Sequence, residues 1–299
     1  MAATALVVLL VVVAGVALLR GARTGPIFSQ TCIATLDGTQ YRLDPDQAGN
    51  AALITAIAVQ RGMPARAATI AIATALQESQ LRNIDYGDRD SLGLFQQRPS
   101  QGWGTQEQIM DPLYSTNTFY DALAEVDGYE SMDITVAAQT VQRSGFPDAY
   151  ATHEQPARAF ASALTGHSPG ALRCRLRMPQ EAQQQPGGNG LTTHAEAVLA
   201  AAQAQHGAVS AVPGSPEGTS VVMTPGQAGA PGPDATRRAW SLAQWAVAQA
   251  DGLHVVSVAV DGQIWARQDG GDATWNPAAD ENGDGPGNAP GSVLVTVAS

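Results

Sequence analysis

Helical spacing runs from Pro64 to Leu81 and then stops, and no other feature limits the fold of this chain as strongly. Pro64 sits where a helix starts, and Ala67, Ile70, Ala71, Thr74, Ala75 and Leu81 follow at helical spacing. So many alanines let neighbouring helices approach closely. From residue 83 to residue 106 the period is lost, and Gly, Asp, Ser and Pro fill the stretch. A loop of that length inside a compact domain is usually functional. An earlier helix, 50–61, ends at Gly62. Later ones are predicted at 113–126, 134–142 and 154–164, with Asp111 and Asp133 as N-caps and Pro112 in the first helical position.

The 299 residues suffice for one large or two ordinary domains. Residues 27–174 read as a mainly α domain. Residues 175–190 read as a linker, because Gln180 to Gly188 has little apolar surface to bury. Residues 191–299 read as a smaller α/β (α+β) domain of unassigned role. Its helices are predicted at 193–205 and 237–250, and further strands at 221–224 and 293–297. Val255–Val260 and Gln263–Arg267 alternate around an Asp261-Gly262 turn, a strong hairpin signal.

The N-terminal run Ala2 to Leu19 carries no charge and stops at Arg20. It is long enough to cross a bilayer, and no small-residue cleavage site follows it. The expectation is an uncleaved transmembrane helix over residues 1–23; the alternative is a buried core helix. Arg20 and Arg23 follow the run, so the positive-inside rule alone would leave the remaining chain in the cytoplasm. The cysteines argue the other way. Cys32 and Cys174 bracket the first domain as an exported disulfide would, although two buried thiols are the alternative. The expected location is therefore a single-pass membrane protein with the bulk of the chain extracytoplasmic.

Composition removes several function classes. Sixteen basic residues, all of them arginine, face 27 acidic ones for a net charge of −11. Nucleic acid is not expected as a partner, because neutralising phosphates needs basic surface. Two cysteines cannot build a Cys₄ zinc site or a disulfide-dense miniprotein. The histidines at 153, 167, 194, 206 and 254 show no ligand spacing, and no metal or cofactor is expected. Asp280 to Gly285 matches the first half of a calcium loop but lacks its closing Glu, so it reads as an acidic loop. Trp240, Trp245, Trp265 and Trp275 read as core; one left exposed would suit sugar stacking.

The chemistry concentrates between Thr74 and Thr105. Glu78 lies near the end of the alanine-rich helix. Asp85, Asp88 and Asp90 follow on the polar loop, then Gly93-Leu94-Phe95-Gln96, then Trp103 in a Gly-flanked tip. Glycoside cleavage needs parts of this kind. A carboxyl in apolar surroundings keeps its proton and can donate it to a glycosidic oxygen. An aromatic face stacks on a sugar ring, and amides hydrogen-bond N-acetyl groups without adding charge. A plainer reading pairs Glu78 with Arg82 at i+4. The aspartates likewise have a plainer reading, turns and ion pairs with Arg82 and Arg89.

Glu78-Ser79 followed by Gly93-Leu94-Phe95-Gln96 resembles the E-S and G-L-M-Q motifs of the lysozyme-like superfamily. The stretch looks like the soluble lytic transglycosylases, goose-type lysozymes and actinobacterial cell-wall relatives of that superfamily. The resemblance covers roughly residues 40–165 and implies a lysozyme-like fold for the first domain. It makes Glu78 the catalytic acid/base and Gln96 a glycan contact, with Phe95 where Met is usual. Trp103 is expected as a further substrate contact. The family's A-Y-N-A-G motif is absent; Ala137 to Gly145 occupies its place, with Gln142 standing for the Asn and Tyr150 as a cleft tyrosine. The implied activity is cleavage of peptidoglycan glycan strands, the expected partner. Glu78 would act alone, as in a transglycosylase, or with a second carboxylate among Asp85, Asp88 and Asp90, as in a hydrolase. The altered third motif also fits a lysozyme-like scaffold or glycan-binding module without catalysis. A third alternative makes the last domain the working part, recruiting a protein partner.

Overall fold

The computed structural model describes residues 29–142, 149–180, 184–226, 233–268, 271–278 and 290–299. It opens with a hairpin, β1 (Thr31–Leu36) and β2 (Thr39–Leu43). The turn between them is Asp37-Gly38, both at positive φ, the conformation that a tight two-residue hairpin requires. β3 (Leu172–Arg175) returns to pair antiparallel with β1, giving a three-stranded sheet in the order β2-β1-β3. Cys32 and Cys174 sit directly opposite each other across β1 and β3 and form the disulfide.

Among the described residues six α-helices lie between β2 and β3: α1 (Pro45–Gln60), α2 (Ala65–Ser79), the short α3 (Gln106–Met110), α4 (Pro112–Ala124), α5 (Ile134–Gln142) and α6 (Glu154–Leu164). α2 is the central one. Every residue from Ala67 to Ala75 is buried, and the helix packs against α1, α5, α6 and the turn at 149–153. Six alanines lie in the stretch Ala65–Ala75, so partner backbones approach on several sides. Asp111 caps α4 through its side chain, which accepts from the Leu113 amide at 2.9 Å, with Pro112 at the first helical position.

The second half is α7 (Thr193–His206) and α8 (Pro233–Ala248) on a six-stranded antiparallel sheet ordered β4-β5-β9-β6-β7-β8. The strands are β4 (Val209–Pro213), β5 (Ser220–Pro225), β6 (Val255–Val260), β7 (Gln263–Ala266), β8 (Asn276–Pro277) and β9 (Val293–Val297). Asp261 and Gly262, both at positive φ, make the turn between β6 and β7.

The two halves share one core. α8 packs on β5, β6 and β9, and also on α1, α6 and β3. Across this seam the buried Gln244 accepts from the Leu172 amide at 2.9 Å and donates to the Ala163 carbonyl at 2.6 Å. Arg267 is almost fully buried. Its guanidinium donates to the carbonyls of Val255, Ala250 and Arg177, tying sheet, helix end and the stretch after β3 together. Trp245 and Trp265 are fully buried, Trp240 nearly so, and Trp275 is half-buried.

Two expectations are corrected by this architecture. The fold is mixed α+β with two antiparallel sheets, not the mainly α lysozyme-like domain plus smaller α/β domain expected from sequence. The first sheet depends on a Cys174 strand that reaches β1 from the far end of the helical segment. The transmembrane helix expected at 1–23 lies outside the described residues, as does the acidic loop at 280–285. No helix among the described residues is long and apolar enough to cross a membrane. Even the 16-residue α1 and α8 span only about 24 Å, short of a hydrocarbon core of about 30 Å. The single-pass, extracytoplasmic location does not stand on this structure.

One consequence for stability follows from His206. It ends α7 with its ring edge-on to Trp245, centroids 5.5 Å apart. Its Nε2 is buried without a partner among the described residues. Burial pushes the imidazole pKa down to about 4. The folded value thus lies below the unfolded one, so the native state resists protonation. Its stability is intact above the unfolded pKa and falls as pH drops towards the folded one. Urea unfolding is expected to show a loss of up to about 2 kcal/mol between pH 7 and pH 5. The loss should be flattened in His206→Gln; identical pH slopes for the two proteins would remove His206 as its cause.

Candidate active site

The candidate site is built where α2 ends. The helix stops after Ser79 because Gln80 and Leu81 both take left-handed backbone, at φ 54° and 57°. Non-glycine residues pay for that conformation, and such strain collects at functional sites. Here the surroundings hold it in place. Leu81 is fully buried. Gln47 donates to the Gln80 carbonyl at 2.8 Å, and Asn50 to the Leu81 carbonyl at 2.7 Å. Arg89 and Gln96 are also at positive φ, so four of the seven non-glycine residues of this kind among the described ones lie between 80 and 96.

This ending decides the fate of Glu78. The helix does not continue to residue 82, so the i+4 pairing with Arg82 has no helix to run along. Arg82 instead reaches Asp44 at 2.5 Å and Asp46 at 2.9 Å, at the start of α1. Glu78 is half-buried, and its Oε1 accepts a 2.6 Å hydrogen bond from the hydroxyl of the fully buried Tyr150. Its Oε2 has no hydrogen-bond partner among the described residues. The structure therefore joins Glu78 and Tyr150, which lie 72 positions apart.

The neighbouring turn is bolted to the same helix end. Ser79 Oγ donates to the Leu94 carbonyl at 2.7 Å, and Gln142 Nε2 to the Phe95 carbonyl at 2.7 Å. Phe95 is fully buried and stacks on Phe119 with ring centroids 4.5 Å apart. Gly93 takes φ 76° with its Cα turned towards Ile109; a Cβ there would come within 2.8 Å of the Ile109 carbonyl. Ser79 was assigned no role from sequence, yet it is the residue that couples the Glu78 helix to the Gly93–Gln96 turn.

Gln96 is used differently from expectation. Its amide donates to the carbonyls of Tyr86 and Gly93 at 3.3 and 3.4 Å, and its Oε1 lies against Gly87. It closes its own loop. Asp90 is likewise engaged: Arg98 donates to one oxygen at 2.7 Å and the Ser100 amide to the other at 2.9 Å. Hydrogen bonds from Ser100 first, and then from Arg98, hold its carboxyl well below the usual carboxylate range. Asp85 and Asp88 are exposed, Asp88 at 3.9 Å from Arg89.

Trp103 and Gln142 meet in a cavity of about 680 Å³, which Gln101, Ala122, Glu125, Val126, Thr140 and Val141 complete. It has one aromatic wall, side-chain amides, a hydroxyl and one carboxylate. Gln142 joins this cavity to the turn, because its amide also holds the Phe95 carbonyl. Glu125 was missed from sequence; it follows the last turn of α4, where a charged residue carries no spacing signal. The part of the third motif at 143–145 lies outside the described residues. No group of three His, Cys, Asp or Glu residues among the described ones converges to hold a metal. No protein-family model matches the chain, and no curated protein matches it in sequence.

Proposed function

We propose that the chain cleaves the glycan strands of peptidoglycan, with Glu78 as a single general acid/base. One observation carries this reading. A half-buried carboxyl at the end of an apolar helix forms no ion pair with arginine among the described residues and is oriented by a buried tyrosine hydroxyl at 2.6 Å. It is supported by the likeness of Glu78-Ser79 and Gly93-Leu94-Phe95-Gln96 to the lysozyme-like motifs.

In the first step Glu78 gives its proton to the glycosidic oxygen as the bond to the anomeric carbon breaks. The carboxylate left behind keeps the Tyr150 hydrogen bond, which stabilises its charge. In the second step Glu78 takes the proton from the attacking hydroxyl. Asp90, one of three candidate second carboxylates, is held by Arg98 and Ser100; on the single-carboxylate route the sugar's own 6-hydroxyl is the nucleophile, which gives an anhydro end. Trp103 offers a stacking face and Gln142 an amide from the adjoining cavity. The test is digestion of purified peptidoglycan with products resolved by mass. Anhydro-ended fragments are expected, and the absence of any new ends overturns the proposal.

A second reading, glycan binding without cleavage, is favoured by one specific observation. The 680 Å³ cavity that holds Trp103 and Gln142 is lined by Glu125 and not by Glu78. Retention of the chain on insoluble wall with no fragments released is its signature.

A further inference from the structure

A second concave site lies at the opposite end of α2. Leu36, Ala65, Arg66, Thr69, Arg158, Ser162 and His167 line a pocket of about 320 Å³. Arg66 is the second residue of α2 and Glu78 lies in its last turn, so the two sites are about 18 Å apart along the helix. The pocket draws its side chains from β1, α2, α6 and the loop after α6.

Its lining has two arginines, two hydroxyls and an imidazole, and no carboxylate. That is unusual in a chain with 27 acidic residues against 16 basic ones. Among the described residues neither Arg66 nor Arg158 forms a salt bridge, whereas Arg61, Arg82, Arg98 and Arg237 each do. Among the described residues Arg66 donates one side-chain hydrogen bond, from Nη2 to the Met132 carbonyl. Its Nε is buried with no partner among the described residues.

The placement of Arg66 adds to the cost. It stands in the first turn of a 15-residue helix whose N-cap, Pro64, gives no side-chain cap, and no acidic residue follows in that turn. A cation there opposes the helix dipole, which favours anions at this end. The second guanidinium, Arg158, brings further positive charge to the same pocket. Partial burial and the charge of Arg237 lower the His167 pKa, so at neutral pH the ring serves as a neutral hydrogen-bonding group. Thr69 Oγ1 donates to the Ala65 carbonyl at 3.1 Å, and the Ser162 and Ser168 hydroxyls pair at 2.8 Å.

We propose that this pocket binds the phosphate group of a small phosphomonoester. Two guanidiniums can meet a phosphate's oxygens bidentately, and the Ser162 hydroxyl, accepting from Ser168, and the His167 imidazole complete the donor set. The volume is at the lower end of the range for ligand sites, which runs from about 300 to 1,000 Å³. It leaves room for a few polar atoms beyond the phosphate. An anion also relieves the uncompensated charge at the start of α2. This site does not depend on the role proposed for Glu78.

The test is isothermal titration of the full chain with inorganic phosphate and with glycerol phosphate, using acetate as the carboxylate control. Saturable binding of both phosphates is expected, with acetate about tenfold weaker or worse. Arg158→Gln should weaken phosphate binding by about tenfold, the loss of one charge-assisted contact. Arg66→Gln should do the same. Because Arg66 also holds Met132, the exposed Arg158 is the cleaner variant, and its fold is checked by circular dichroism. Arg42→Gln, remote from the pocket on β2, should bind as the parent does. No saturable phosphate binding overturns the proposal, as does equal affinity for acetate or unchanged affinity in Arg158→Gln.

Discussion

Glu78→Gln is expected to reduce the release of glycan fragments by about 10²–10⁴-fold, the usual worth of a positioned general acid/base. The substitution is chosen for what it preserves. An amide oxygen accepts the Tyr150 hydroxyl as the carboxylate does, so the 2.6 Å contact and the end of α2 survive. What is lost is a proton that can be given and taken back. Stability by urea unfolding should therefore stay within about 0.5 kcal/mol of the parent. Fragment release undiminished in this variant would refute the assignment of Glu78. Release diminished together with a large loss of stability would assign Glu78 to the fold instead. Phosphate binding in the pocket at the far end of α2 should be untouched, which separates a failure of one site from a failure of the other.

Breaking the Cys32–Cys174 disulfide has the largest expected effect on stability. The bond closes a loop across a sequence separation of 142 residues. Chain entropy alone predicts a stabilisation of about 5 kcal/mol for such a loop, at the upper end of what disulfides deliver. Local structure adds to the argument. β3 is four residues long and is held in its sheet only by β1. A short edge strand with one neighbour pairs weakly on its own. Beyond it, the buried Leu176 and the Arg177 carbonyl that meets Arg267 depend on where β3 lies. The double variant Cys32→Ser with Cys174→Ser should lose about 3–5 kcal/mol by urea unfolding. A loss below about 1 kcal/mol would show that packing across α8 positions β3 without the bond.

The elements with a strong local signal were legible from sequence. Helix 134–142 starts where its periodicity predicts, and strands 255–260 and 293–297 have the bounds theirs predicts. The Asp261-Gly262 hairpin formed as its turn chemistry requires. The same dipeptide at Asp37-Gly38 makes the first hairpin, yet the helical patterns around it led to a mainly α expectation. α1 begins at Pro45, with Asp44 as its N-cap, five residues before the predicted start, because its first turn is polar. At the site, Glu78 and Tyr150 could be named individually, and the hydrogen bond between them could not. The i+4 rule offered Arg82 as a partner because sequence does not reveal two consecutive left-handed residues without glycine. Gln96 looks like a substrate ligand on motif grounds, and the contacts of its amide with the Tyr86 and Gly93 carbonyls could not be read from the motif. The cavity at Trp103 draws on three separate segments, and that convergence is a property of packing.

α8 lies between two sheet systems and is used by both. One side rests on β5, β6 and β9, and the other on α1, α6 and β3. A chain cut near residue 190 would therefore not yield two finished proteins. The first half would present the bare underside of α1 and α6 to water. The second would present the other flank of α8, along which Gln244 lies fully buried and hydrogen-bonded to Ala163. Each fragment would carry a sticky apolar face with stranded polar groups inside it, a recipe for aggregation. The smallest piece that keeps this core closed is the one that keeps both sheets.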